Sequence, residues 1–70
     1  MTRGLRVDLR EWRTRAGLTQ AQLAESVDVS RKTINTVENE VFVPSTVLAL
    51  RLARVLGCKV EDLFSLSEED

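Results

Sequence analysis

Arg31 and Lys32 stand side by side, Asn35 and Thr36 follow one helical turn later, and no carboxylate intervenes before Glu38. On a helix these four positions are related by steps of three and four residues and share one face. Such a face offers hydrogen-bond donors to an electron-rich partner. Arg and Lys can donate to guanine O6 and N7, and Asn can pair two ways with adenine. Ile34 and Val37 fall on the other side and would hold the helix against a core. A merely solvated helix face could carry the same residues, so the decision rests on the elements around them.

Covalent chemistry is poorly supplied. The chain has no His and no Tyr, and its single thiol, Cys58, has no base near it in sequence. A zinc site of the Cys/His type is excluded by count. No catalytic residue, no metal and no cofactor is expected. Cys58 follows Gly57 and reads as a small buried hydrophobe.

Seventy residues with 43% apolar and 30% charged content suit one small globular domain spanning 1–70. The start of the chain lacks the apolar region of a secretory leader, and no apolar run approaches the ~20 residues of a membrane span. A cytoplasmic protein with no membrane partner is expected, and one cysteine is consistent with a reducing compartment. The net charge of −1 hides an uneven distribution. Residues 1–57 hold nine Arg/Lys against six Asp/Glu, whereas residues 58–70 hold Lys59 against five carboxylates. The body is basic, and residues 67–70 read as an acidic, solvated tail.

The punctuation between apolar runs is that of short helices. Gly17 is a stop, and Thr19 with Gln22 three residues later is a capping box. Ser30 and Ser45 are further helix starts, and Gly57 is a stop. The spacing predicts helices near Asp8–Ala16, Gln20–Val27, Arg31–Glu38 and Thr46–Leu56, with a short fifth over Val60–Phe64. Val47, Leu48, Leu50, Leu52, Ala53, Val55 and Leu56 wrap most of the fourth, which therefore reads as the central core element. Alternation of Leu5, Val7 and Leu9, and of Phe64 and Leu66, allows two short terminal strands that pair.

The second and third helices are joined by three residues, Asp28-Val29-Ser30. Two short helices joined by so tight a turn form a helix-turn-helix, here residues 19–38, which sets its second helix against a DNA major groove. The turn normally favours Gly, and Asp28 is among the few side chains that tolerate the left-handed conformation. Thr19 and Gln20, at one helix start, and Ser30, at the next, are placed for backbone phosphate. Trp12 is spaced as a core residue. The apolar loop Val41-Phe42-Val43 reads as an exposed patch and a dimer contact.

The segments "GLTQAQLA", "VSRKTI", "VEN", "VPS" and "LARVLGCKVEDLF", in this order and spacing, resemble the Cro/C1-type (XRE) helix-turn-helix regulators over residues 5–66. Small freestanding members of the cytolysin-repressor type are the nearest likeness. The resemblance implies an all-α, five-helix, lambda-repressor-like domain whose terminal strands help build a homodimer, adding Phe64 and Leu66 to the dimer residues. It implies base reading by Arg31, Lys32, Asn35 and Thr36, phosphate contacts at Gln20 and Asn39, and an ion pair between Arg13 and Glu38. The pair has its own rationale, because an unheld Glu38 near the groove would repel phosphate. Glu40 departs from the pattern by standing where Gly, Asn or Lys is usual. In the left-handed conformation it costs about 1–2 kcal/mol.

The expected function is a homodimeric repressor that reads a pseudo-palindromic operator in double-stranded DNA and blocks polymerase. A protein-interaction or antitoxin-like module is the competing expectation. So is the amino-terminal module of a longer ligand-sensing regulator.

Overall fold

The computed structural model describes residues 4–67. The acidic tail of the sequence reading falls largely at 68–70, outside the described residues. The elements run β1 (Leu5–Val7), α1 (Leu9–Arg15), α2 (Gln20–Ser26), α3 (Arg31–Glu38), α4 (Thr46–Leu56), α5 (Val60–Leu63) and β2 (Phe64–Leu66). The strands form an antiparallel pair, with Leu5 opposite Leu66 and Val7 opposite Phe64. The terminal alternation therefore does mark strands.

Helix starts are written in side chains. Thr19 Oγ1 accepts the Gln22 N–H at 3.0 Å, and Gln22 Oε1 accepts the Thr19 N–H at 2.9 Å, which completes the capping box. Ser30 Oγ accepts from Thr33 N, and Ser45 Oγ accepts from Leu48 N, each at 3.1 Å. Caps of this type are worth ~1 kcal/mol each. The stop at Gly57 has φ 68°, and a Cβ there would meet no atom within 4 Å. Its backbone conformation, rather than lack of space, is what asks for Gly.

One stripe from each helix builds the core. Leu9 of α1, Leu23 and Ala24 of α2, Ile34 and Val37 of α3, Leu48, Leu52 and Ala53 of α4, and Leu63 of α5 are buried together with Val27 and Phe64. A fully buried Leu or Ile contributes about 1.5–3 kcal/mol relative to exposure. Trp12 is half-buried against this core, with the Arg15 guanidinium 5.1 Å from its ring centre.

Three sequence expectations change in detail. α4 is not buried on nearly all sides: Val47, Leu50 and Val55 are exposed, because a body this small has no second layer to cover them. Helical structure ends at Leu63, and Phe64 turns extended to enter β2. The Phe64 side chain, expected at a dimer contact, is buried in the core. Leu66, at the other end of the same strand, is 85% exposed.

Candidate nucleic-acid interface

α2 and α3 are held at their angle by a turn through Asp28, whose φ of 61° lies in the left-handed region. Its N–H donates to Glu25 O, and Val29 N–H donates to Ala24 O, so the turn hangs on the last turn of α2. Val29 packs half-buried on the core. Ile34 and Val37 then fix the rotation of α3, with both side chains fully buried. Rotation about the helix axis is thereby set, and the opposite face must point outward.

That face carries Arg31, Lys32 and Asn35, all exposed. Thr36 is only half-buried at its flank. Its Oγ1 donates to Thr33 O at 2.9 Å, and its carbonyl accepts from Val41 and Phe42 N–H. Thr36 therefore borders a shallow groove with Lys32, Thr33, Val41 and Phe42 rather than standing at the crest. Ser30 caps the start of α3, where unpaired backbone N–H groups favour an anion.

Beside this face lies a polar network centred on Glu38, whose side chain is fully buried. Arg13 grips the carboxylate at both oxygens, with Nε on Oε2 and Nη2 on Oε1, and its Nη1 donates to Leu18 O at 2.9 Å. Arg10 Nε donates to Glu38 Oε1 at 3.3 Å, and Gln20 Nε2 donates to the same oxygen at 3.0 Å. Burial by itself raises the Glu38 carboxyl. Hydrogen bonds from Arg13, Gln20 and Arg10, with the charge of Arg13, more than offset it and leave the group below its ordinary range. The expected Arg13–Glu38 pair is thus present, and it ties α1 to the end of α3. Two cations around one carboxylate leave the surroundings of α3 positive, as an anionic partner requires.

Arg10 was not foreseen. Its partners lie almost thirty residues away, beyond any local pattern. The available signal was its position three residues before Arg13, on the same face of one helix.

The network also engages the side chains of two expected phosphate ligands. The Gln20 amide nitrogen donates to Glu38 and, at 3.2 Å, to Asn35 Oδ1. The Asn39 amide donates to Asn35 O at 2.8 Å and to Asn35 Oδ1 at 3.1 Å, while Asn39 Oδ1 accepts from Arg10 Nη2 at 3.2 Å. What α2 offers a phosphate at Gln20 is the unpaired backbone N–H of its first turn. The Thr19 hydroxyl accepts in its cap and keeps its own proton to donate. The Ser30 hydroxyl is shared with Thr33 Oγ1 at 2.9 Å. Glu40, just beyond α3, has φ 60°, the strained conformation its departure from the family pattern implied.

Elsewhere the chemistry is plain. Burial and the charge of Asp62 raise the Cys58 thiol above its ordinary range, so it is protonated at neutral pH and packs as a small apolar group. Among the described residues no cluster of His, Cys, Asp or Glu is placed to hold a metal ion, and no helix is long and apolar enough to cross a membrane.

Comparison with known proteins agrees with this geometry. The helix-turn-helix family profile matches residues 9–63. An HTH-type transcriptional regulator of Methanothermobacter thermautotrophicus is 47% identical over 66 residues, covering 93% of this chain and 96% of that protein. Another from Archaeoglobus fulgidus is 41% identical, covering 94% of each. Among solved structures, the restriction-modification controller protein C.AhdI from Aeromonas hydrophila superimposes with a TM-score of 0.73 at 35% identity, over 77% of this chain and 82% of that one. The clp gene regulator ClgR from Corynebacterium glutamicum gives 0.73 at 31% identity, and the match spans 57% of its length. In profile, relatives and fold alike, the chain belongs to the Cro/C1-type helix-turn-helix family of DNA-binding transcriptional regulators, not to an enzyme family.

Proposed function

We propose that residues 1–70 act as one sequence-specific DNA-binding unit, working as a homodimeric repressor on a pseudo-palindromic operator. The observation that carries the DNA reading is α3. It turns Arg31, Lys32 and Asn35 outward, while Glu38 is buried between Arg10 and Arg13. α3 enters the major groove. Arg31, Lys32, Asn35 and, from its flank, Thr36 face base edges. Thr19, Ser30 and the first turn of α2 hold phosphates.

Dimer formation is supported by apolar surface. Val41, Phe42 and Val43 of the α3–α4 loop, Leu50 of α4 and Leu66 of β2 are all exposed. Val43, Leu50 and Leu5 line one open groove together with Cys58 and Val60. The body measures 32 × 22 × 21 Å, so two copies side by side suit half-sites about 34 Å apart. Phe64, largely buried, lines the same groove.

Gel-shift titration against genomic fragments at two salt concentrations tests the reading. Affinity should fall linearly with salt on logarithmic axes, with one unit of slope lost for each phosphate contact removed. The same apolar surface would suit a different protein partner, in which DNA binding is secondary. A flat salt dependence and no preferred fragment would favour that interaction module instead.

A further inference from the structure

Asn35 does not offer both ends of its amide to a base. Its Oδ1 accepts from Gln20 Nε2 at 3.2 Å and from Asn39 Nδ2 at 3.1 Å, which occupies both lone pairs. The orientation of each donor is fixed by an independent partner. Gln20 Nε2 also faces Glu38 Oε1 at 3.0 Å, and an ionised carboxylate can only accept. Asn39 Nδ2 also faces the Asn35 carbonyl at 2.8 Å, while Asn39 Oδ1 receives Arg10 Nη2 at 3.2 Å. Neither amide can be reversed without setting donor against donor or acceptor against acceptor. Asn35 must therefore present its oxygen to the protein and its Nδ2 to the outside.

We infer that Asn35 is a donor-only specificity residue, locked by Gln20 and Asn39, and that it selects a base edge carrying acceptors alone. This rests on the DNA-binding reading above. Guanine presents O6 and N7 in the major groove, and thymine presents O4. Cytosine presents only an amine, which an outward N–H would oppose, and adenine sets its amine beside N7, so Nδ2 can make one bond there but not the two-way pair. The familiar two-way pairing of Asn with adenine needs an outward oxygen, which is already engaged here. Arg10, Gln20, Glu38 and Asn39 thus set base choice without touching a base.

The test is selection of bound sequences from random duplex DNA by the full chain and by two variants. Asn35→Ala identifies the base position concerned, as the one whose preference disappears. The wild type should favour guanine or thymine there, and cytosine at that position should weaken binding about tenfold. Asn35→Asp keeps an inward oxygen for Gln20 and Asn39 and turns the outward group into an acceptor. Its preference should move to cytosine, whose N4 amine donates. A side-chain amide spectrum of each variant verifies that Gln20 and Asn39 remain ordered. Wild-type preference for adenine or cytosine, or no base position that responds to Asn35→Ala, overturns the inference and leaves the regulator reading intact. Failure to enrich any sequence overturns both.

Discussion

α3 and α4 are built alike on one side and differ on the other. Each buries a short apolar stripe, Ile34 and Val37 in α3, and Leu48, Leu52 and Ala53 in α4. The outer face of α3 is cationic and amidic, whereas the outer face of α4 shows Val47, Leu50 and Val55 to solvent. Burial fixes where a helix sits. The uncommitted face determines what it meets. In a body with one core layer, these two faces differ in kind: a polar one that suits nucleic acid and an apolar one that, under the proposed function, meets a second copy.

The contrast can be broken from the α4 side first. Leu50→Asp places a charge on the apolar face without touching a buried contact. It should yield a folded monomer by light scattering and weaken operator binding ~10²–10⁴-fold, the avidity lost with the second half-site. A variant that stays dimeric would remove α4 from the interface.

Next comes the joint between α1 and α3. Arg13→Ala leaves the Glu38 carboxylate buried without its main partner and should cost about 3–5 kcal/mol in urea unfolding. The same site gives a pH dependence. Because the folded carboxyl lies below its unfolded value, its contribution is present above about pH 4.3 and is lost as pH falls further. Glu38→Gln should flatten that limb of the stability curve, measured by unfolding from pH 7 to pH 3.

A smaller effect is expected on the reading face itself. Arg31→Ala should leave stability unchanged, cost about 1–3 kcal/mol of DNA affinity and relax choice at one base position. Equal loss on all sequences would make Arg31 a phosphate contact. The smallest change is at Glu40. Glu40→Gly relieves the left-handed backbone and should raise stability by about 1 kcal/mol by thermal unfolding.

Much of this contrast was legible beforehand. α3 and α4 run over the residues their spacing and caps indicate, because Ser30, Ser45 and Gly57 are local signals that tertiary context had no cause to override. α1 is shorter by one residue at each end than the spacing suggested, and α2 by one at its end, since Asp8, Ala16 and Val27 serve as caps. The apolar circumference of α4 misled. Composition shows that a helix can be buried on all sides, but not whether the chain has enough other elements to cover it. At the site, the outward direction of α3 followed from Ile34 and Val37. The engagement of Gln20 with Glu38 and of Asn39 with Arg10 did not, because both partners are brought beside them only when the helices pack.

The pairing of β1 with β2 joins the two ends of the described chain. α2 and α3 pack on each other across a short stretch of sequence, and the α1 arginines reach Glu38 over 25 and 28 residues, while this ladder closes the longest loop among the described residues. Loop closure of that length is the slow, entropically opposed step in assembly. The helices are therefore expected to condense first and the clasp to form last, on a scaffold that has already brought its ends together. By the same order it should be first to open, so that hydrogen exchange at Arg6 and Ser65 reports fraying while the amides of Ile34 and Leu52 stay protected.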